Sequence, residues 1–457
     1  MPQALATLKT LIEEHLAAER SDPVRALQTP EQLRAKFELA PPEEGIPFEE
    51  LSERLRGIMA ATPATASDLF FNQLYGGRDP AAFTGDVISA VLNTSMYTYK
   101  IGGVQVLIEL ALVKRMGQMM GFPDAEGVFT PGGSLSNLAG MVVALNQAIP
   151  GYKDHGAQGK QPRIYTSIEG HYSVPKAAGL LGVGQSNVVK IPVDGRGQML
   201  PEALEAAIVS DIEAGFTPAM INATSGTTVL GAFDPIAAIS AIAKRHNVWL
   251  HVDAAYGGTF VFHPELKAHF ADVGLADSVT WDAHKVMSTP LTCSVILVKE
   301  KGLMTQAMSQ SASYLFQGGE DEFNPGTRSI QCGRRNSALK LWCAWQVNGD
   351  AGYLAKTQSV RNNALTAQRC IEAAPELSLV RVPESINICF DAPGVDTDAL
   401  LDAVCESGQG MIGHAQVDGR TVVRLVFLNS DVRTEVVERL FVAIQAQARA
   451  LAIAPAA

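Results

Sequence analysis

The chain has 457 residues, which is enough for two or three domains. Hydrophobic residues make up 47% and charged residues 18%, a balance typical of a globular protein with a large buried core and not of a disordered chain. The formal net charge is −11 at pH 7 and the sequence has no run of lysine or arginine, so we do not expect a nucleic-acid partner.

The cysteines and the N-terminal sequence favour a cytoplasmic protein. The six cysteines are scattered, with no C-x-x-C pair and no metal-ligand spacing, so we expect free thiols in a reducing compartment and no metal site. Residues 1–22 carry acidic side chains and lack the basic start and apolar run of a signal peptide. Because no segment is apolar over the length that crosses a bilayer, we expect no membrane association.

Three regions of the chain differ in their residue pattern. Residues 1–75 join helical periodicity to proline-rich connectors and predict an N-terminal helical segment. Residues 76–351 alternate amphipathic helices with short apolar runs and predict a large α/β domain. Residues 352–457 predict a smaller C-terminal α+β domain. Its predicted elements are helices at 355–373, 396–407 and 432–450, and strands near 386–392 and 421–428.

Six short runs in the middle region are predicted strands. Several are continuously apolar, as expected for strands covered on both faces. Their alternation with helices predicts a mainly parallel sheet, in which ligands bind outside the carboxyl ends of the strands. The runs are RIYTSI (163–168), NVVKIPV (187–193), AMINAT (219–224), VWLHVDA (248–254), SVTWDA (278–283) and CSVILVK (293–299).

Two of these runs end in residues suited to an aldehyde cofactor with a pyridine ring. Asp253 ends one run, and His284 and Lys285 follow the next. Burial would favour the neutral amine of the lysine, which is a good nucleophile for an aldehyde. A carboxylate on the neighbouring strand could keep a pyridine nitrogen protonated, so that the ring accepts electrons. The alternative interpretation is a structural Asp–Lys ion pair.

Two further segments supply candidate ligand-binding groups. In FTPGGSLSNLAGM (129–141) a glycine pair that includes Gly133 precedes an amphipathic helix, whose first N–H groups attract an anion. Ser134 and Ser136 could add hydroxyl donors. His171 follows the run RIYTSI and could lie on the face of a cofactor, although a lone histidine is more often an ordinary loop residue.

A third segment, NATSGTTVLGAFDPI (222–236), follows another predicted strand. Thr224 and Thr227 could contact a cofactor or serve only as turn hydroxyls. Asp234 and Pro235 are predicted as the N-cap and first residue of the next helix.

Taken together, the motifs resemble the group II pyridoxal-phosphate-dependent decarboxylases, most closely the glutamate and cysteine-sulfinate decarboxylase branch. The resemblance is strong over about residues 68–350. It implies an α/β protein of PLP fold type I (aspartate-aminotransferase-like), with a mainly parallel seven-stranded sheet, and a homodimer with active sites at the subunit interface. Its motifs are FFNQLYGG, NTSMYTYKIGGVQVLIE, GGSLSN, HYSVPKAA, TSGTTVLGAFDP, HVDAAYGG, DSVTWDAHKVM, YLFQ and IQCGRR.

The resemblance also implies roles for matching residues. Lys285 would hold pyridoxal 5'-phosphate as a Schiff base, and Asp253 would bind its pyridine nitrogen. His171 would stack on the ring and assist proton transfer, while Ala255 would pack against the other face. The remaining expected cofactor contacts are Gly133, Ser134 and His284 at the phosphate, with Thr224 and Thr227 nearby.

The implied activity is that of a carbon–carbon lyase of amino-acid metabolism, a PLP-dependent amino-acid carboxy-lyase. It would remove the α-carboxylate of a small acidic L-amino acid, such as glutamate, aspartate or cysteine sulfinate, and release the amine and CO2. Gln73 and Arg424 match residues that bind the substrate carboxylate in this family, and Lys100 could add a cation.

Three positions depart from the family pattern. The mobile loop of relatives usually carries a tyrosine that protonates Cα, whereas the shorter loop GGEDEFNPGTRSI (318–330) has Phe323 in its place. A decarboxylating aldehyde synthase or aminotransferase is therefore the alternative activity, and a catalytically inactive protein of this fold is a third hypothesis. Lys100 stands where relatives have an acidic residue, and Asp282 where the branch more often has asparagine.

Overall fold

The computed structural model describes residues 2–21, 28–310 and 323–453, within which the chain forms two compact units. The large unit holds residues 78–364 and 381–387. The small unit holds the described parts of 1–77, 365–380 and 388–457. The motif YLFQ and the first part of the predicted mobile loop, residues 318–322, lie outside the described residues. The predicted domain limits at residues 75 and 351 stay a prediction.

The helices of the described residues carry both proline starts and glycine breaks. Asp79 caps α4 by accepting hydrogen bonds from the backbone N–H groups of Ala81 and Ala82, and a proline follows it at the first helical position. Gly349, with φ of 57°, interrupts α13. The helices are α1 (Pro2–Ser21), α2 (Pro30–Lys36), α3 (Phe48–Ala61), α4 (Pro80–Leu92), α5 (Tyr99–Gly102), α6 (Val104–Met119), α7 (Gly133–Ala148), α8 (Tyr152–His155), α9 (Ser173–Leu180), α10 (Pro201–Glu213), α11 (Ile236–His246), α12 (Leu303–Met308), α13 (Ala338–Glu372), α14 (Thr397–Glu406) and α15 (Thr434–Ile453).

A seven-stranded sheet forms the centre of the large unit. Its strand order is β1-β7-β6-β5-β4-β2-β3, and only β7 runs antiparallel to its neighbours, so the mainly parallel sheet is confirmed. Strand β1 was not among the predicted strands. The strands of this sheet are β1 (Glu126–Thr130), β2 (Pro162–Ser167), β3 (Val188–Ile191), β4 (Thr217–Thr224), β5 (Trp249–Asp253), β6 (Ser278–Asp282) and β7 (Ser294–Val298).

Helix α7 is held against this sheet along two of its sides. Leu138, Met141 and Leu145 belong to one buried cluster with residues of β2 and β4. Ala139 and Val143 belong to another with residues of β7. Each large apolar side chain buried in this way contributes about 1.5–3 kcal/mol. This packing fixes the N-terminus of α7, which follows β1, at the carboxyl edge of the parallel strands.

The small unit contains a second sheet with the strand order β10-β11-β9-β8, which confirms the sheet expected in the smaller C-terminal α+β domain. Asp418 and Gly419, with φ of 50° and 73°, form the tight turn between β10 and β11. None of the described helices is both long and apolar enough to cross a membrane. The strands are β8 (Ser378–Leu379), β9 (Asn387–Asp391), β10 (Gly413–Val417) and β11 (Arg420–Val426).

Candidate active site

The two motifs that predicted the cofactor site meet at the carboxyl edge of adjacent strands. Asp253, the last residue of β5, pairs in register with Thr280 of β6. The backbone N–H of Asp282 donates to the carbonyl of Ala255 over 3.1 Å. Lys285 follows three residues after β6 ends. The sheet therefore brings the predicted aspartate and lysine to the same edge.

Asp253 is 5% exposed and its two carboxylate oxygens have separate donors. The backbone N–H of Ala255 donates to Oδ1 over 3.1 Å, and the Asn137 amide donates to Oδ2 over 2.7 Å. Asn137 lies in the motif GGSLSN, yet its type and position gave no reason to assign it a role.

Lys285 makes its ion pair with Asp282, a contact that the sequence did not predict. Its Nζ lies 3.3 Å from Asp282 Oδ2, and the side chain of Lys285 is 18% exposed. Burial raises the pKa of Asp282, but the charge of Lys285 and the hydrogen bonds from Ser294 and Lys285 act against it, so that the pKa lies below its ordinary value. The unexpected carboxylate at position 282 therefore points at the lysine.

His171 lies among the same charged groups. Burial lowers its pKa below the ordinary value, Asp253 opposes that change and the charge of Lys285 adds to it. The backbone N–H of Ser173, the first residue of α9, donates to His171 Nδ1 over 3.2 Å. The structure thus brings His171, Asp253 and Lys285 together, and it leaves His171 Nε2 as the nitrogen that carries the proton of the neutral ring.

The predicted phosphate site lies at the N-terminus of α7. Gly132 has φ of 118°, a conformation that favours glycine. A Cβ on Gly133 would lie 2.6 Å from Asp282 Oδ2, so a larger residue would clash there. Ser134 is half-buried. The proposed donor Ser136 is instead fully buried, and its hydroxyl lies 2.8 Å from that of Ser294.

His284 and Ala255 are buried beside this edge. The imidazole Nδ1 of His284 lies 2.9 Å from the carbonyl of Cys293, and its Nε2 lies 3.7 Å from Asp282 Oδ2. Burial is the largest influence on His284 and lowers its pKa below the ordinary value. At neutral pH the ring is therefore a neutral hydrogen-bonding group.

The two predicted threonines behave differently. Thr224, the register partner of Asp253, has a buried hydroxyl with no hydrogen-bond partner among the described residues. The Thr227 hydroxyl accepts the backbone N–H of Ala232 over 3.0 Å, which is the turn role that the sequence left open.

The predicted N-cap role of Asp234 is wrong, because Pro235 occupies the N-cap position of α11. Asp234 instead accepts the backbone N–H groups of Met199 and Thr224, both over 2.7 Å. Burial raises its pKa to about 7. The carboxylate thus fixes the backbone at the end of β4.

The residues predicted to bind substrate fall into different units. Gln73 and Arg424 belong to the small unit, where both donate to Asn72: Gln73 to its side-chain oxygen over 3.4 Å and Arg424 to its carbonyl over 3.3 Å. Lys100 is exposed on α5 of the large unit. Phe323 is also in the large unit and places its ring 5.9 Å from that of Tyr99.

These residues fit pyridoxal phosphate on chemical grounds. The edge offers a primary amine for the aldehyde at Lys285, a carboxylate for the pyridine nitrogen at Asp253 and a glycine turn before a helix for the phosphate. The buried Thr224 hydroxyl, which has no partner in the described part of the chain, is a polar group that a bound molecule could satisfy. The edge therefore has the donors and acceptors that a pyridine aldehyde phosphate needs.

The fold and the site define an α/β enzyme of PLP fold type I. Residues 30–392 match the conserved domain of the pyridoxal-dependent decarboxylases, and the chain belongs to that family. It is 38% identical to mouse cysteine sulfinic acid decarboxylase over 377 residues, 81% of this chain and 76% of that protein. It is also 38% identical to human acidic amino acid decarboxylase GADL1 over 386 residues, 82% of this chain and 73% of that protein.

A solved structure extends the likeness to nearly the whole fold. The crystal structure of mouse CSAD superposes with a TM-score of 0.93 at 31% identity, and covers 98% of this chain and 99% of that one.

Proposed function

We propose that this protein uses pyridoxal phosphate to decarboxylate a small acidic L-amino acid of the glutamate, aspartate or cysteine sulfinate type. The observation that carries the proposal is the meeting of Lys285, Asp253 and His171 at one edge of the sheet. Membership of the decarboxylase family, with relatives named for acidic substrates at 38% identity, supports both the reaction and the substrate class.

The proposed division of labour follows from the contacts of each residue. Lys285 would supply the amine that holds the cofactor aldehyde. When bound, the cofactor provides a protonated ring that takes up the electron pair left on Cα as CO2 departs. Asp253, held by Asn137 and Ala255, keeps a negative charge next to the ring nitrogen. Gly133, Ser134 and His284 would hold the phosphate, and Ala255 would pack against the ring.

The last step needs a proton at Cα in place of the lost carboxylate. His171 is the donor we assign, because its Nδ1 is already occupied by the Ser173 N–H and its Nε2 carries the mobile proton. Phe323 has no proton to give. If Phe323 does stand in place of a donor, part of the product should leave as aldehyde rather than amine, which keeps the decarboxylating aldehyde synthase as the second candidate.

Substrate recognition is assigned to Arg424 and Gln73, with Lys100 as a further cation. Arg424 is buried on β11 and donates a hydrogen bond to the carbonyl of Asn72. Gln73 donates to the side chain of the same asparagine, so Asn72 positions both candidate groups. A guanidinium suits a carboxylate or sulfinate because it donates several N–H groups in one plane.

A panel of amino acids tests this function. Release of CO2 and the fate of the nitrogen should be followed for acidic, aromatic and aliphatic substrates. We expect acidic substrates to be preferred and Lys285→Ala to abolish turnover. Arg424→Gln should raise KM about 10- to 100-fold, the loss of a charge-assisted hydrogen bond worth about 1.5–3 kcal/mol.

Arg420→Gln is the matched control for the substrate arginine. Arg420 lies on the same strand but its side chain is 62% exposed and pairs with Asp391. It should leave KM unchanged. A preference for aromatic or aliphatic substrates, or equal effects of the two arginine changes, would refute the substrate assignment.

We further propose a cytoplasmic homodimer. The large unit exposes apolar side chains at helical spacing on α4, namely Ile88, Val91 and Leu92, of which Val91 is 70% exposed. Val104, at the start of α6, is 68% exposed. Such side chains favour burial against another surface. Within the described residues none of the six cysteines forms a disulfide, which suits a reducing compartment.

Analytical ultracentrifugation tests the dimer. Val91→Asp and Val104→Asp should each shift the protein toward the monomer. The control Val442→Asp changes an equally exposed valine, 66% exposed on α15, and should leave the dimer intact. A wild-type monomer at micromolar concentration would refute the proposed assembly.

A further inference from the structure

A chain of polar side chains lies buried behind Asp253, between α7 and the sheet. Trp249 Nε1 donates to the Ser278 hydroxyl over 2.8 Å, and that hydroxyl lies 2.8 Å from His251 Nδ1. His251 Nε2 lies 3.1 Å from the Asn137 side-chain oxygen, and the Asn137 amide donates to Asp253 over 2.7 Å. Ser278, His251 and Asn137 are at most 1% exposed. No step of the proposed reaction uses His251 or Ser278.

The chemistry of the end groups fixes the direction of these hydrogen bonds. The indole of Trp249 can only donate, and Asp253 as a carboxylate can only accept. The Asn137 amide nitrogen already donates to Asp253 and to the Ser173 hydroxyl, at 2.7 and 3.0 Å, so the Asn137 oxygen must accept from His251 Nε2. Rotating the amide by 180° would place its oxygen against the carboxylate.

His251 is therefore the neutral Nε2–H tautomer. Its Nδ1 accepts the Ser278 hydroxyl, and its Nε2–H is shared between Asn137 and the Thr280 hydroxyl, the latter at 3.3 Å. Complete burial lowers the pKa of His251 to about 4, so that the ring stays neutral at physiological pH. A Cβ on Gly140 of α7 would lie 2.8 Å from His251 Nδ1, so the helix backbone confines the ring.

We propose that His251 and Asn137 are positioning residues of the decarboxylase reaction. His251 orients the Asn137 side chain so that its amide N–H donates to Asp253. Neither residue places a positive charge beside the carboxylate. The negative charge of Asp253 is then left uncompensated for the ring nitrogen of the cofactor. A charged imidazole at the same place would compete for that carboxylate. This inference rests on the proposed function, in which Asp253 holds the ring nitrogen.

The effect is measurable in the loaded enzyme. His251→Phe keeps the ring shape and removes both nitrogens, whereas His251→Gln keeps a donor toward Asn137. In His251→Phe we expect kcat to fall about 10- to 100-fold, the size of effect typical when the hydrogen-bond partner behind a metal ligand is removed, with KM unchanged. The absorbance of the bound cofactor should become pH-dependent between pH 6 and 9 as the ring loses its proton. His251→Gln should have a higher kcat than His251→Phe, and its cofactor absorbance should depend less on pH.

The matched control is Trp281→Phe, which removes another buried indole donor, to Thr259 over 3.1 Å, outside this chain of hydrogen bonds. Its kcat and its cofactor spectrum should match the wild type. Urea unfolding of each cofactor-free variant separates loss of folded protein from loss of function. If His251→Phe is folded, binds the cofactor and keeps both the wild-type spectrum and kcat, the proposal is overturned.

A second measurement is independent of the cofactor. In cofactor-free protein labelled with 15N-histidine, the His251 signal, identified by its loss in His251→Gln, should show the Nε2–H tautomer unchanged from pH 8 to pH 5. An Nδ1–H tautomer, or titration near pH 6.5, would overturn the inference. Failure of the wild type to bind pyridoxal phosphate would instead refute the proposed function, and the nitrogen spectrum would still decide the state of His251.

Discussion

Asp282 offers the sharpest test of how this chain differs from its branch of the family. Its Oδ2 lies 3.3 Å from Lys285 Nζ, and its side chain is 2% exposed. It also stands next to Gly133, at the N-terminus of α7 where we place the cofactor phosphate. Asp282→Asn keeps the shape of the side chain and a hydrogen-bonding group. It removes the single negative charge that faces both Lys285 and the proposed phosphate site.

The magnitude follows from the geometry. At 3.3 Å and an effective dielectric constant of about 20, the bare attraction is about 5 kcal/mol. Removing one partner of a fully buried pair costs about 3–5 kcal/mol, but water partly screens Lys285, so we expect the cofactor-free protein to lose about 2 kcal/mol. Relief of repulsion with the phosphate should tighten cofactor binding about tenfold, or about 1.4 kcal/mol.

Two assays on one preparation check these opposite changes. Urea unfolding of the cofactor-free protein gives the stability, and a fluorescence titration with pyridoxal phosphate gives the affinity. The control is Asp211→Asn, because Asp211 also lies 3.3 Å from its partner, Arg163, with side chains 15% and 16% exposed. It should lower stability without changing the affinity. Unchanged or weaker cofactor binding by Asp282→Asn would refute the reasoning.

Three further predictions concern the product, the core and the pH dependence. Phe323→Tyr should lower the ratio of aldehyde to amine among the products. An unchanged ratio would refute the hypothesis that Phe323 replaces a proton-donating tyrosine. Glu109→Gln breaks the buried ion pair in which Glu109 lies 2.8 Å from Arg334, and it should lower the free energy of unfolding in urea by about 3–5 kcal/mol. Glu53→Gln breaks an exposed ion pair with Arg56 and should lower it by less than about 1 kcal/mol. Folding lowers the pKa of His251 from 6.5 to about 4, so the wild type loses folding stability as the pH falls from 6.5 to 4. The difference in free energy of unfolding between the wild type and His251→Phe should therefore shrink by up to about 3 kcal/mol. A difference that does not change between pH 7 and pH 4 would contradict this.

The sequence by itself determined the family and the fold. Apolar runs ending in polar residues predicted six of the seven strands of the large sheet within one or two residues at each end, because buried strands and their carboxyl-end ligands are local patterns. Strand β1, EGVFT, was not predicted because a glycine and a glutamate weaken its apolar pattern. The antiparallel direction of β7 could not be predicted, because strand direction is not encoded in the residue pattern of a single strand.

Only the tertiary structure decided which partners these residues have. Asp282 faces Lys285, Asn137 faces Asp253, and Asp234 receives two backbone N–H groups instead of capping a helix. The Asp282–Lys285 pair spans only three residues, but the contacts of Asn137 and Asp234 join residues from different elements, which no local spacing encodes. The residue types set what chemistry the edge can perform. The packing of α7 on the sheet placed the Asn137 amide between His251 and Asp253, and the burial of His251 keeps its ring neutral.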